Sequence, residues 1–410
     1  TPISTDDAEI KRVELHAHTK FSEMDAVCDL EKLIKKAFDW HHEAIAITDH
    51  IGVQAYPKAQ EYVKNILKNN KDRQFKVIYG IEMNMVDPDL NIVTNSDKRN
   101  LQGDYVVFDL ETSGLSARYD QIIEFGAVKI KNGTITDRLQ FFINPRLQLT
   151  AFTKNMTGIS QTDVDNGLLL IEAFPKILEF FGDNTLVAQN ASFDVGFLNA
   201  KLMEYNLGKL KNPIIDTLDM ARALNKEKKR YRLGNIAKIY KVDYDENVAH
   251  RADYDAEVTA QVFMQMLIDA QKQLANAGIN TKEQTLNHLQ GFSDEDSFKK
   301  VMKKHVNLLA LNQNGIKDIF NLVSVSHTDY LVFSGKANNK NGNDEYMAEP
   351  RITRKVINDN RQNLLVGSSC MNGELFEIAA NRTQEELEEA IKFYDYIEIQ
   401  PPANYYHLID

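Results

Sequence analysis

Short apolar runs alternate with amphipathic segments along the first part of this chain. This pattern predicts three strands separated by two helices: strands over 12–18, 44–48 and 77–81, and helices over 30–40 and 57–69. A β-α-β-α-β order is typical of a parallel sheet or barrel, in which reactive residues collect at the carboxyl ends of the strands. The residues at or near those ends are His16, His18, His50 and Glu82.

Two further groups of elements follow, each introduced by a polar segment. Residues 87–102 and 276–298 are polar and are predicted to be linkers. Between them, Asn132 and Gly133 separate two alternating runs, as in a β-hairpin. The elements predicted in these two groups are strands over 105–108, 121–130, 134–143, 305–310, 364–369 and 396–400, and helices over 316–324 and 385–394.

Length, charge and composition narrow the classes of function. With 410 residues, two or three domains are expected, and the net charge of −11 argues against a protein that grips long duplex DNA. No apolar run is long enough to cross a membrane, and only two cysteines, Cys28 and Cys370, are present, which fits a reducing cytoplasm. Because the chain opens on Thr1 and ends at Asp410 soon after a predicted strand, we expect it to be part of a longer protein.

The first candidate chemistry lies where the strand over 105–108 ends. Asp109 and Glu111 are two residues apart, so in an extended strand both carboxylates project from the same face. Carboxylates held side by side repel each other unless a cation lies between them, and Mg²⁺ prefers such oxygen ligands. Taken alone, this stretch fits a solvated acidic turn equally well.

Two later segments extend this acidic pattern. Asp194 lies in the first turn of a predicted helix, and His250 comes five residues before Asp255 at the start of another helix that is predicted to end near residue 275. Four carboxylates and one histidine in this order resemble the DnaQ-like 3′–5′ exonucleases, the DEDD group in its histidine-bearing form. The resemblance covers roughly 103–272 and implies an RNase H-like α/β domain.

The exonuclease resemblance also implies a role for each residue. Asp109, Glu111, Asp194 and Asp255 would hold two Mg²⁺ or Mn²⁺ ions, and His250 would take a proton from the attacking water. An imidazole suits that role because it exchanges protons near neutral pH. The substrate would be the single-stranded 3′ end of DNA, and the implied substrate-binding residues are Thr112, Thr157, Gly158, Asn190 and Phe193.

The histidines of the first segment belong to a second pattern. Three histidines and a glutamate at the ends of successive strands are typical ligands of Zn²⁺, Mn²⁺ or Fe²⁺. They resemble motifs of the polymerase and histidinol phosphatase (PHP) domain, which implies a (β/α) barrel-like fold. The metal ligands implied by the resemblance are His16, His18, Asp25, His50, Glu82, His305 and Cys370. A last motif of that family, Asp-x-His, is expected beyond the end of this chain.

The order of the two patterns resembles one family of replicative enzymes. An exonuclease inserted into a PHP domain, with phrases such as VIYGIEMNMVD and GSSCMNGELFE, is similar to the PolC-type DNA polymerase III α subunits. The expected domains are the first part of the PHP domain over 1–102, the exonuclease over 103–275, and a linker with the rest of the PHP domain over 276–410. The family implies proofreading of DNA at the primer terminus in the cytoplasm. Its implied partners are the rest of the polymerase and a sliding clamp, with no membrane.

Three other functions fit parts of the sequence. The PHP-like residues suggest a metal-dependent phosphoesterase, the exonuclease motifs fit an RNA-trimming enzyme, and both folds fit a scaffold without catalysis. The complete set of five exonuclease residues argues against a scaffold, and only the PHP context favours DNA over RNA. The basic run over 226–232 contacts either phosphates or only solvent.

Overall fold

The computed structural model of the chain describes residues 5–338 and 344–401. In chain order the strands are β1 (Ala44–Ile47), β2 (Lys76–Val86), β3 (Val93–Thr94), β4 (Tyr105–Thr112), β5 (Ile122–Lys131), β6 (Thr134–Asn144), β7 (Leu168–Leu169), β8 (Thr185–Ala188), β9 (Ile214–Asp216), β10 (Lys304–Ala310), β11 (Leu331–Asn338), β12 (Asp344–Pro350), β13 (Ile352–Thr353) and β14 (Leu364–Gly367). The α-helices are α1 (Leu30–Asp39), α2 (Tyr56–Lys68), α3 (Ala151–Thr157), α4 (Gln161–Asp165), α5 (Leu170–Phe181), α6 (Ala191–Glu204), α7 (Thr217–Leu224), α8 (Leu233–Tyr240), α9 (Ala252–Asn276), α10 (Leu286–Gln290), α11 (Gln313–Thr328), α12 (Arg354–Asn360), α13 (Glu374–Asn381) and α14 (Gln384–Ile391).

The chain folds into two compact units, each made from separate stretches of sequence. Within the described residues, unit 1 contains 5–88, 301–377 and 388–401, and unit 2 contains 89–300 and 378–387. The α/β class predicted from the sequence is confirmed, because both units combine helices with a mixed sheet. Across the described ranges, no helix has both the length and the apolar character needed to cross a bilayer.

Unit 1 is built on a sheet in the order β1-β2-β10-β14, with the short β13 also paired to β2. β1 and β2 run parallel, whereas β10 is antiparallel to both β2 and β14. Helices α1 and α2 bury Leu30, Ile34 and Ala59 in an apolar core that includes Ile45 and Ile47 of β1. The three segments expected to be parallel do pair in parallel, through the Glu14–Ile45 bridge and the β1–β2 ladder. The complete sheet is nevertheless mixed, because β10 from the later part of the chain adds to it in the opposite direction. β11 and β12 form a separate antiparallel pair.

Two predicted strands of unit 1 are reduced to single bridges. In the segment 12–18 only Glu14 forms a bridge, with Ile45 of β1, and in the segment 396–400 only Tyr396 does so, with Gly367 of β14. Both segments carry polar side chains into the histidine cluster described below. The alternation of apolar and polar residues in these two segments therefore comes from side chains that point into a site. It does not come from a hydrogen-bonded strand ladder.

Unit 2 is built on a seven-stranded sheet in the order β3-β9-β8-β4-β5-β6-β7. β4 is central, parallel to β8 and antiparallel to β5, and the long helix α9 packs across β4 and β5. The predicted hairpin is present: Asn132 (φ 51°) and Gly133 (φ 73°) join β5 to β6 in left-handed conformations. β4 continues four residues beyond the predicted strand, so Asp109 and Glu111 are residues of the strand and pair with β5 through their backbones.

The two segments predicted as linkers are folded, and apart from Asp87 and Pro88 they belong to unit 2. In the first, Ile92 and Val93 are buried and β3 pairs with β9. In the second, Leu286 is buried, and its N–H donates to the carbonyl of Arg99 at 3.2 Å. A few apolar residues anchor each segment, although its overall composition is polar. The division of the chain into a PHP and an exonuclease domain stays a prediction.

Candidate functional sites

Three elements of unit 2 bring the four predicted carboxylates to one end of its sheet. Asp109 and Glu111 lie near the end of β4, Asp194 in the first turn of α6, and Asp255 in the first turn of α9. Because β4 and β8 are parallel, the end of β4 and the start of α6, which follows β8, share one edge of the sheet. The backbone N–H of Leu110 donates to Asp194 Oδ1 at 3.1 Å and joins the strand to the helix.

His250 lies beside two of these carboxylates. Potential ligand atoms of Glu111, His250 and Asp255 lie within 4.8 Å of one another. The backbone N–H of His250 donates to Asp255 Oδ2 at 3.0 Å, and the imidazole is exposed. His250 has a φ of 65°, a left-handed conformation that costs roughly 1–3 kcal/mol in a residue other than glycine. The surrounding contacts therefore hold the histidine in an unfavourable backbone conformation next to the carboxylates.

The four carboxylates are close enough to disfavour their charged forms. Burial, with the charges of Asp194, Glu111 and Asp255, holds the pKa of Asp109 well above its usual range. Burial, with the neighbouring carboxylates, raises the pKa of Glu111, and burial also raises the pKa of Asp194. Asp255 Oδ1 is buried without a hydrogen-bond partner among the described residues. An orphaned oxygen among repelling carboxylates fits a divalent cation with oxygen ligands.

Two of the predicted substrate residues, Thr112 and Thr157, are buried. The Thr112 hydroxyl donates to the carbonyl of Gly114 at 2.6 Å, and the Thr157 hydroxyl donates to the carbonyl of Thr153 at 2.9 Å. These bonds stabilise the turn after β4 and the end of α3. Both hydroxyls therefore have a structural use, and their contact with a substrate stays a prediction.

The other three predicted substrate residues are more accessible. Gly158 ends α3 with a φ of 69°, and beyond its chain neighbours and the backbone of its own helix no described atom lies within 4 Å of where a Cβ would be. Asn190 is exposed and adopts a φ of 60° immediately before α6. Phe193 is half-buried, with its ring centroid 5.0 Å from that of Phe197. Their role in substrate binding also stays a prediction.

Glu124 is a carboxylate beside this cluster that the sequence motifs did not reveal. It is the cross-strand partner of Glu111, and it is fully buried. Arg251 donates to it through Nε at 3.1 Å and Nη2 at 2.8 Å, and the N–H of Ala252 and Nε2 of Gln140 also donate. Glu124 therefore anchors the two residues that follow the histidine. No local signal marked Glu124, because its strand β5 also carries the charged residues Lys129 and Lys131.

In unit 1, four predicted histidines surround one buried carboxylate. Glu82 Oε1 lies 3.1 Å from both His16 Nε2 and His305 Nδ1. Glu82 Oε2 lies 3.4 Å from His18 Nε2 and 3.7 Å from His50 Nδ1. The structure thus brings together residues from the first and the last part of the chain, as the sequence pattern predicts for a metal site.

Asp25 and Cys370, the two remaining predicted ligands, lie at the edge of the histidine cluster. Asp25 Oδ2 is 2.7 Å from His18 Nδ1, and Cys370 Sγ is 3.7 Å from His305 Nδ1. Imidazole, carboxylate and thiol donors together fit Zn²⁺ or a first-row transition metal. Their assignment as ligands stays a prediction.

Glu398 joins the histidine cluster without having been predicted. Its Oε2 lies 2.7 Å from His16 Nδ1. Burial lowers the pKa of His16, but the hydrogen bonds to Glu398 and Glu82 outweigh it and raise the pKa to about 10. Burial also lowers the pKa of His305, but the hydrogen bonds to Cys370 and Glu82 outweigh this effect and raise the pKa to about 9. Protons and a cation would therefore compete for the nitrogens of these two imidazoles.

Comparison with known proteins relates both parts of the chain to one group. Residues 106–263 match the family model described as Exonuclease. The chain is 41% identical over 404 residues, 98% of its length, to the DNA polymerase III PolC-type of Bacillus subtilis (strain 168). It is 39% identical over 408 residues, 99% of its length, to that of Lactococcus lactis subsp. lactis (strain IL1403). The matches cover 26% and 23% of these relatives, so the chain spans about a quarter of their length.

Solved structures resemble a smaller part of the chain. One is Exonuclease X in complex with 5′ overhanging duplex DNA, with a TM-score of 0.34 and 22% identity over 45% of this chain and 99% of that chain. Another is the nuclease domain of 3′hExo, a DEDDh family member, bound to rAMP. It has a TM-score of 0.35 and 20% identity over 41% of this chain and 92% of that chain.

Proposed function

The chain is homologous to the PolC-type DNA polymerases III over nearly its whole length, and it contains an exonuclease domain. From this we propose that it carries a proofreading 3′–5′ exonuclease. The reaction is hydrolysis of the 3′-terminal phosphodiester of a DNA strand, which releases a nucleotide. The observation that carries the proposal is the meeting of acidic residues from β4, α6 and α9 with His250 at one end of the sheet.

Asp109, Glu111, Asp194 and Asp255 would hold two Mg²⁺ or Mn²⁺ ions. When bound, such ions activate the attacking water and stabilise the leaving 3′ oxygen. The carboxylates themselves come from three different elements, so their relative positions depend on the packing of α6 and α9 against β4. His250 would accept the proton of the attacking water and pass it to solvent, to which its imidazole is exposed.

The 3′ end of the strand would lie against the accessible surface next to the carboxylates. Gly158, Asn190 and Phe193 are the proposed contacts there. Apolar side chains are exposed in the neighbouring segments, with Leu115 after β4 at 69% and Phe152 of α3 at 71% of full exposure. Such groups suit the stacking of unpaired bases. A mismatched terminus frays more readily than a paired one, which gives proofreading its selectivity.

Digestion of end-labelled oligonucleotides tests the proposal. Single-stranded DNA and RNA of the same sequence are compared in Mg²⁺, in Mn²⁺ and in EDTA, with the Asp109→Ala protein as the control. We expect nucleotides to be lost from the 3′ end of DNA only when metal is added and only when Asp109 is present. Robust digestion by Asp109→Ala would contradict the site, and a strong preference for RNA would favour the RNA-trimming alternative.

A second candidate function rests on the cluster around Glu82 in unit 1. We propose that this is the metal site of a split PHP domain, barrel-like and interrupted by the exonuclease region, with Zn²⁺, Mn²⁺ or Fe²⁺ as candidate ions. The domain limits at 102 and 275 belong to the same proposal. Phosphoester hydrolysis that remains in Asp109→Ala, and disappears when His16→Ala/His18→Ala is added to that protein, would identify unit 1 as a phosphoesterase. No hydrolysis by Asp109→Ala would leave a structural metal site.

The wider setting of the chain is proposed from its relatives. The rest of a replicative polymerase and a sliding clamp are the proposed partners, with DNA at the primer terminus, and the cytoplasm is the proposed location. Co-purification of the full-length protein with a clamp, on and off primed DNA, tests the partner assignment.

A further inference from the structure

A basic loop of unit 2 connects α7 to α8. Residues 226–232 (Lys-Glu-Lys-Lys-Arg-Tyr-Arg) are exposed except for Tyr231. They include five cations and one anion, in a chain whose net charge is −11. The loop is therefore a local positive surface on an acidic protein.

Tyr231 fixes the backbone of this loop. Its side chain is largely buried, and its hydroxyl lies within hydrogen-bonding distance of the carbonyls of Asn225 (2.8 Å) and Lys228 (2.6 Å). Lys300 Nζ donates to the same Lys228 carbonyl at 3.1 Å. Because the loop is held from its inner side, its cations are presented outward in a defined arrangement.

The same tyrosine ties the loop to the exonuclease cluster. Its carbonyl accepts a hydrogen bond from Gln189 Nε2 at 3.1 Å, and Gln189 Oε1 accepts one from the hydroxyl of Thr217 at 2.6 Å. Gln189 immediately precedes Asn190, and Asp194 follows in the first turn of α6. The basic loop therefore lies beside the segment that delivers Asp194 to the site.

The charges of the loop are only partly neutralised from within. Arg230 and Arg232 are exposed, and neither forms an ion pair with any residue that the structure describes. Lys226 pairs with Asp294, and Lys228 pairs with exposed Glu227 at 3.4 Å; a surface pair of this kind contributes about 0–1 kcal/mol. The loop therefore keeps an excess of positive charge.

Neighbouring cations crowd this surface further. Burial lowers the pKa of Lys300; the charge of Glu227 opposes this shift, and the charges of Arg222, Lys229 and Lys299 add to it. Cations that are held close together repel one another, as the carboxylates of the exonuclease cluster do, and a ligand of opposite charge relieves that repulsion.

We propose that the loop 226–232 binds phosphates of the DNA strand whose 3′ end lies in the exonuclease site. The inference rests on the proposed function and adds a binding surface to it. A strand that enters the site by its 3′ end continues outward with one phosphate per nucleotide, so the next phosphates meet the positive loop. Phosphate contacts carry no sequence information, as proofreading requires.

The salt dependence of binding tests this surface. The variant Arg230→Gln/Arg232→Gln is compared with the control Lys129→Gln/Lys131→Gln, which removes the same amount of positive charge. The control residues lie at the end of β5 that pairs with the first residues of β4, far from Glu111. All proteins also carry Asp109→Ala, so that a fluorescent oligothymidylate stays intact. Each lost phosphate contact should reduce the slope of log affinity against log salt by about 0.7. Arg230→Gln alone should reduce this slope by about half as much as the double variant does.

Turnover gives a second readout, in proteins that retain Asp109. The arginine variant should have a raised KM for an oligonucleotide of about ten nucleotides. The change should be much smaller for a dinucleotide without a 5′ phosphate, because its one phosphate is the scissile one. An unchanged salt slope, or an equal loss in the lysine control, would overturn the inference. If the wild type digests no DNA while the arginine variant alone loses salt dependence, the exonuclease proposal fails and the phosphate surface stands.

Discussion

Glu111 and Glu124 face each other across the β4–β5 ladder, but their surroundings differ. Burial and the neighbouring carboxylates raise the pKa of Glu111 to about 8. The oxygens of Glu124 instead accept hydrogen bonds from Arg251, Ala252 and Gln140. An ionised carboxylate offers about four acceptor sites, and four donors occupy those of Glu124. Glu124 is therefore suited to position the start of α9, whereas Glu111 is left open to a cation.

Replacing Glu124 with glutamine should slow digestion by about 10- to 100-fold with little change in KM, because a displacement of about 1 Å at a catalytic group carries a penalty of this size. The exposed pair of Arg138 with Glu257 of α9 is a matched control, with Nε and Nη2 at 3.1 and 3.0 Å from the carboxylate. Glu257→Gln should behave as the wild type. Steady-state kinetics at several Mn²⁺ concentrations decide the outcome, and a variant rescued by more Mn²⁺ would make Glu124 a ligand.

His250→Ala should reduce the rate of digestion by roughly 10²–10⁴-fold, the usual contribution of a general acid or base. Its imidazole is exposed and its backbone is held by Asp255, so the substitution should leave the fold and the affinity for DNA largely unchanged. Single-turnover rates and binding to labelled DNA are measured on the same protein. A variant that loses affinity and keeps its rate would show that His250 binds the substrate.

At the scale of elements, β4, α6 and α9 each carry part of one acidic cluster. The pKa of Glu111 rises on folding from 4.5 to about 8, and those of Asp109 and Asp194 rise as well. Between the unfolded and the folded pKa, the native state therefore binds more protons than the unfolded chain. The free energy of unfolding of the metal-free protein should then fall as pH rises through this range.

This linkage gives a measurable difference between two proteins. In EDTA, the melting temperature of the wild type should fall between about pH 5 and about pH 8 more steeply than that of Asp109→Asn, which removes one of the repelling charges. Mn²⁺ should raise the melting temperature of the wild type, because a ligand of the native state stabilises it by mass action. Thermal melts across pH, with and without Mn²⁺, provide the comparison. Parallel pH profiles for the two proteins would contradict the repulsion.

The elements that the sequence predicted well are those with local signals. The predicted helices over 30–40 and 57–69 match α1 and α2 within one residue at each end, and the period of two places Asp109 and Glu111 together. The strand order was not predictable, since β2 pairs with β10, which is far along the chain. Glu124 was missed for the same reason: its partner Arg251 lies 127 residues away, and no local pattern records the contact.

At the scale of the chain, unit 1 joins segments that are very far apart in sequence. His16 and Glu398 are separated by 382 residues but lie 2.7 Å apart, and Ser369 donates a hydrogen bond to Glu82 across 287 residues. The free-energy cost of closing a loop of n residues grows only slowly, as about (3/2)RT ln n, but contacts between the ends must still offset it. A metal ion bound by both segments would contribute directly to that folding free energy.

The variant His16→Ala/His18→Ala should therefore lower the melting temperature of the protein while leaving exonuclease turnover within a few-fold. His16 and His18 contact Glu82, at the centre of the cluster. Their loss removes two proposed ligands of the first segment and leaves a buried carboxylate with fewer partners. The measurement pairs thermal melts before and after chelation with digestion of single-stranded DNA, and Lys11→Ala provides a nearby control in the same unit. If chelation lowers the melting temperature of the wild type and not that of the double variant, the lost stability belongs to a metal held by these histidines. Equal effects of chelation on both proteins would place any bound ion elsewhere, and a large loss of exonuclease turnover would show that the two sites depend on each other.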